Sequence, residues 1–283
     1  MLKKLFKYEW KATGRVFGLC YVGVLAAAVL MRILTTAAWQ SEGALLRLLP
    51  EDVGDWLAGV SVAAYAVMVA AVFAVTFILI LLRFYRNLLG GEGYLMHTLP
   101  VTSRQLILSK LLAAMVWTVL SCVVVLVSIT ILVMSPDILQ TLPEEWRLLM
   151  EYRAQIHVSN GVIFGEALLV ALYLLAALAG GILKLYAAMM LGHQAAKHKI
   201  ALSVGAYFGI NAALSAVFVI LINVFSRAAG VVPFIQRALD GHCEDGLFSF
   251  TVILGLAVLY NLVLSGIFYG ITNYLMSRRL NLE

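Results

Sequence analysis

Charge is scarce in this sequence. Only 12% of its 283 residues are Asp, Glu, Lys or Arg, against 63% hydrophobic residues, where a soluble domain carries about a quarter charged and about half apolar. A chain this apolar cannot hide the excess inside one water-soluble globule. Proline is scarce too: there are five, and none falls inside the long apolar runs described below, so nothing in those runs forces a helix to break. The three cysteines, Cys20, Cys122 and Cys243, lie in separate segments, two of them in apolar runs, and give no disulfide framework. No G-x-x-x-x-G-K-S/T phosphate loop occurs, so ATP has no cradle of that kind on this chain. Metal ligation is not expected either: His193 and His198 are the nearest histidine pair, and five residues of helix set them about 140° apart. The net charge of +5 is spread over several loops without one aromatic-studded patch, which argues against nucleic acid as a partner.

What is present is apolar length. Six runs stand out, roughly 16–34, 56–82, 106–134, 162–191, 200–226 and 247–276. About 20 residues at ~1.5 Å each cross a hydrocarbon core of ~30 Å. The expected fold is therefore all-α and embedded in the lipid bilayer, a single transmembrane domain over residues 1–283 with six spans and no nucleotide-binding domain. The first run follows Lys3, Lys4, Lys7, Lys11 and Arg15 as a signal peptide would, but it exceeds the ~7–15 residues of such a segment and reads as a span. The largest loop, roughly 135–161, has room for a short helix but not for a folded domain.

The basic residues orient the spans. Counting Lys110, Lys184 and Arg32 with the nearest ends of their spans, those on the side of the N-terminus, the span two–three and four–five connections and the C-terminus number fourteen, against six on the other side. The positive-inside rule then places both termini in the cytoplasm. The acidic residues sort the other way: Glu42, Glu51, Asp52, Asp55, Asp137, Glu144, Glu145, Glu151, Asp240, Glu244 and Asp245 fall in the outer loops, and only Glu9, Glu92 and Glu283 fall inside.

Two segments outside the spans carry patterns. In LKKLFKYEWK, Leu2, Phe6 and Trp10 recur every fourth residue beside a stripe of Lys3, Lys7 and Lys11. That pattern suits an amphipathic helix over 1–14 lying on the inner membrane surface, or a basic flank that becomes helical only on entering the membrane. Between spans two and three, Gly90, Gly91 and Gly93 permit a turn, Pro100 limits any helix before it, and Thr102 or Ser103 can cap the next. The short segment between them exposes Tyr94, Leu95 and Leu99, which fits either docking into a partner's groove or resting on the headgroups.

The KLFKYEWKATGR start, the FYRNLLGGEGYLMHTLPVTSRQLILSKLL segment and the six-span layout together resemble permease subunits of bacterial type-2 ATP-binding-cassette exporters, in which an E-G-Y-L, T-L-P, S-K pattern links spans two and three. The motif part covers about the first 115 residues. The resemblance implies that the segment with Glu92, Tyr94, Leu95, His97 and Leu99 is a coupling helix docking into a separate P-loop ATPase subunit, and that residues 2–11 form an interfacial elbow helix. It also implies a dimer with a second copy or a sister permease, and a place in the bacterial plasma membrane. ATP and Mg would be held by the partner ATPase, with no cofactor on this chain and no catalysis by it. Drugs, peptides, lipids or similar cargo would move outward. Spans one and five meet across the dimer in that family, which makes Gly18, Gly205 and Gly209 candidate contacts.

Other readings meet obstacles. An ion-coupled carrier or channel needs ionisable groups at mid-membrane, which are few here. Glu166, about a turn inside span four, is either a helix-end carboxylate or a cation-attracting group on the substrate path, and Asn211 and Asn261 are further candidates for that path. An intramembrane serine protease would want G-x-S-G, and Ser265 with Gly266 lacks the first glycine.

Overall fold

The computed structural model describes residues 2–39, 51–90, 101–134, 136–155, 159–195, 197–227 and 243–278. Among them, every regular element is helical. In chain order these are α1 (Leu2–Trp39), α2 (Glu51–Phe84) continued by a π-helical turn (Tyr85–Leu89), α3 (Ser103–Val133), α4 (Pro136–Gln155), α5 (Asn160–His193), α6 (Lys199–Arg227) and α7 (Cys243–Arg278). Six are long and apolar enough to cross a membrane, over Leu2–Ile33, Gly59–Leu89, Ser103–Val133, Asn160–His193, Lys199–Leu221 and Phe250–Ser277. These match the six apolar runs in number and order. Helix α4 occupies the loop where a short helix had room, and its 20 residues carry Glu144, Glu145 and Glu151.

One boundary differs from expectation. Helix α1 runs without a break through Gly14, so residues 2–14 continue into the first span instead of forming a separate element. Its aromatic stripe is also turned to protein, since Trp10 is partly buried and stacked on Trp117.

The chain divides into two compact units, Met1–Leu82 with Leu112–Leu149, and Arg83–Leu111 with Met150–Glu283. In the first, α3 presents Trp117, Ser121, Val125 and Ser128, all buried. Spacings of four and three residues put them on one helical face. The Trp117 ring lies between Trp10 and Phe17, with centroids at 4.1 and 4.3 Å and planes within 13° and 9° of parallel. Its edge rests over Gly14, where the missing side chain leaves room.

Buried hydroxyls tie the same three helices together. Tyr21 Oη lies 2.8 Å from Ser121 Oγ, which in turn lies 2.9 Å from Thr76 Oγ1. Farther along, Tyr65 Oη meets Ser128 Oγ at 2.7 Å, and Arg32 donates to the Leu132 carbonyl at 3.4 Å. The order of these pairs makes α1 parallel to α3 and α2 antiparallel to both. With no water in the hydrocarbon, such groups must satisfy one another.

In the second unit α5 is the shared partner. It runs antiparallel to α6, through Lys184 with Asn211 and Met189 with Ser203. It runs parallel to α7, through Glu166 with Thr251 and Gly180 against Ser265. The α5–α6 turn is closed by Gln194 N–H to the Leu191 carbonyl and Ala195 N–H to that of Gly192, both at 3.3 Å. His198, just before α6, has a left-handed φ of 57°. Large apolar side chains such as Leu19, Val67, Phe208 and Leu256 remain exposed on the helix surfaces, as surfaces solvated by lipid do.

Candidate functional site

The expected partner-docking segment, with Glu92, Tyr94, Leu95, His97 and Leu99, lies outside the described residues; its two flanks are within them. On the near side, α2 ends in the π-helical turn, which closes with Gly90 N–H to the Tyr85 carbonyl at 2.8 Å. Gly90 is required there: a β-carbon would stand 2.9 Å from the Arg86 carbonyl oxygen. Phe84 is fully buried and stacks on Tyr186 of α5 at 3.9 Å, while Tyr85 meets the His193 ring edge-on at 6.1 Å. Asn87, Leu88 and Leu89 are buried as well.

On the far side Thr102 takes the cap position of α3, its carbonyl accepting from Gln105 N–H at 2.9 Å and Leu106 N–H at 3.2 Å. Leu106, Ile107, Ser109, Lys110 and Leu111 then enter the core. The loop is therefore held at both ends by buried structure within one unit.

That frame holds polar groups which the sequence pattern did not mark as internal. Lys110, counted among the orienting charges, is 4% exposed, and Asn87 and His193 are buried too. Each of the three interacts with another group, although neither ring nitrogen of His193 is hydrogen-bonded among the described residues. His193 and His198 do not converge: the first is buried against Tyr85 and the second is exposed in the turn.

The three candidate substrate-path residues all border α5 but are not gathered. Glu166 accepts a hydrogen bond from Thr251 of α7, and its other carboxylate oxygen is buried without a hydrogen-bond partner among the described residues. Asn261 lies against Gly180, roughly 21 Å farther along α5 at ~1.5 Å per residue. Its amide donates to the Ala257 carbonyl of its own helix at 2.8 Å, and its backbone oxygen accepts from Ser265 at 2.7 Å. Asn211 sits on the α6 side, where its Oδ1 accepts from Lys184 at 2.7 Å and its amide donates to the Tyr207 carbonyl at 2.8 Å.

Gly18, Gly205 and Gly209 have open space where a β-carbon would stand, and all three are exposed. Among the described residues they make no close helix contact. The glycines that do include Gly23, whose β-carbon would meet Met68 Cε at 3.3 Å, Gly180, whose β-carbon would meet Ser265 Oγ at 3.0 Å, and Gly192, against which the Ser203 backbone lies. No family model, curated protein or solved structure matches this chain.

Proposed function

We propose that this chain is the membrane-spanning permease subunit of an ATP-driven exporter, coupling ATP binding and hydrolysis in a separate P-loop ATPase subunit to outward movement of a substrate. The observation that carries the reading is the framing of residues 91–100. A short segment bearing the E-G-Y-L and T-L-P patterns is suspended between a π-helical turn and a capped helix, both rooted in buried side chains. Flanks anchored this way would pass a partner's movement at the segment on to α2 and α3.

The lysine and arginine distribution puts that loop and both termini in the cytoplasm, where an ATPase can reach them. Lys3, Lys4, Lys7 and Lys11 stand on the exposed side of α1, in position to meet anionic lipid at the inner surface. Gly18, Gly205 and Gly209, open in the single chain, suit contact with a second copy or a sister permease.

Co-purification tests the proposal. The tagged chain, gently extracted from its native membrane, should bring down a soluble ATPase. Leu95→Asp, which adds a desolvated charge to the loss of an apolar anchor, should weaken that capture roughly tenfold or more. Lys197→Ala, at an exposed position, should not. Full capture by Leu95→Asp at matched protein levels would reduce the segment to an ordinary connector.

One observation favours an ion-coupled carrier instead, namely the buried, unpartnered Glu166 oxygen. Transport driven by a proton or sodium gradient and abolished by Glu166→Gln would put that mechanism in place of the exporter. ATP-dependent transport that survives the substitution would retain the exporter.

A further inference from the structure

Lys184 lies well inside a membrane-crossing helix, and its ammonium group does not run out to the nearer helix end. It reaches across to α6, donating to Asn211 Oδ1 at 2.7 Å and lying 5.3 Å from the centroid of the Tyr207 ring. Asn211 stands about 18 Å along α6 from Lys199 at ~1.5 Å per residue, so the charge sits within the helical spans and not at their ends. Among the described residues these two contacts are its only ones, and neither is with a carboxylate.

An ammonium has three donors, and this one uses a single bond and a ring face. The amide that takes the bond is held by its own donation to the Tyr207 carbonyl. A charge inside a span is costly unless something balances it, and an amide dipole and an aromatic quadrupole balance it only in part. The surroundings leave room for more. Lys184, Tyr207 and Asn211 are each only half-buried, and Gly181, one turn earlier on the same face of α5, has open space where a β-carbon would stand. Phe208, which meets the Tyr207 ring edge-on, is exposed beside them and offers apolar surface to a chain lying in the membrane.

We infer that Lys184, Asn211 and Tyr207 form an anion site at the α5–α6 seam that binds a phosphate group, carried by a lipid headgroup or supplied as free phosphate. The ammonium provides the charge, Asn211 and Tyr207 hold it across the seam, and the gap at Gly181 admits the ligand. The inference goes beyond the exporter reading and stands without it, because binding is measured on this chain with no ATPase present.

The test is native mass spectrometry of the full chain in detergent, titrated with phosphatidylglycerol, with phosphatidylcholine as zwitterionic control, and with inorganic phosphate as competitor. Wild type should retain phosphatidylglycerol in preference. Lys184→Gln should lower that preference about tenfold, the loss of one charge-assisted contact, and Lys184→Arg should restore most of it. Tyr207→Leu, which leaves the lysine in place, should weaken it by a smaller factor. Displacement by millimolar inorganic phosphate assigns the site to a free anion, and persistence of the lipid assigns it to a headgroup. Equal preference in wild type and Lys184→Gln, with Lys184→Arg unchanged from both, overturns the site.

Discussion

The backbone of Ser203 occupies the place where a β-carbon on Gly192 would stand. This contact draws the end of α5 and the start of α6 together; Ser203 Oγ, which lies 2.9 Å from the Lys199 carbonyl of its own helix, is also 3.4 Å from the Met189 carbonyl of α5. Backbone cannot swing aside as a flexible side chain can. Gly192→Ala should therefore sit at the upper end of overpacking costs, about 3 kcal/mol, and lower the thermal unfolding temperature in detergent. Gly165→Ala, where the space is open, should leave it unchanged; equal stability in the two variants would contradict the close approach.

Trp117 makes a second prediction through what it does not do. Its indole nitrogen is buried without a hydrogen-bond partner among the described residues, so the side chain contributes through stacking between Trp10 and Phe17. Trp117→Phe keeps an aromatic plane in the slot and should cost less than about 1.5 kcal/mol. Trp117→Ala empties the slot and should cost about 3–5 kcal/mol. Comparable losses in thermal stability for the two would mean that the stack is not what holds α1 to α3.

The hydroxyl cluster allows a finer measurement. Removing the Ser121 hydroxyl leaves Tyr21 its bond to the Trp117 carbonyl at 3.2 Å and Thr76 its bond to the Val72 carbonyl at 2.7 Å. With those alternatives in place, Ser121→Ala should cost only about 0.6 kcal/mol, the average for interhelical hydrogen bonds in membranes. Ser121→Val should cost more, because the position is fully buried and the added methyl has nowhere to go. A double-mutant cycle with Tyr21→Phe measures the coupling directly.

Orientation is accessible through the native thiols. Cys20 and Cys122 lie within membrane-crossing helices, and Cys243, at the start of α7, belongs to a loop assigned to the outside. A membrane-impermeant maleimide applied to intact cells should label Cys243 alone. Labelling of Cys243 that requires permeabilised cells would invert the orientation.

Much of the fold was legible from residue order, for a physical reason. A helix in lipid satisfies its backbone within itself, so hydropathy and length suffice to locate six of them without knowledge of their neighbours. The loop between α2 and α3 was legible as a distinct segment because Gly90 and Pro100 bracket it. Which side chains meet was not legible. Four G-x-x-x-G spacings stand in the sequence, yet among the described residues the tightest helix–helix approaches at glycine are at Gly23, Gly180 and Gly192, because packing depends on which face each helix turns to its neighbour. Lys110 and Lys184 both count equally as positive-inside charges, but one is buried near the start of α3 and the other is held across α5 and α6 by Asn211 and Tyr207. Glu166, Asn211 and Asn261 looked like one path and are strung along α5 toward two different partners. Composition alone determined that this chain lives in a membrane, since water cannot solvate so much apolar surface; only the tertiary structure decided where its few polar groups find one another, since in lipid each must be matched by a partner from elsewhere in the chain or by a ligand.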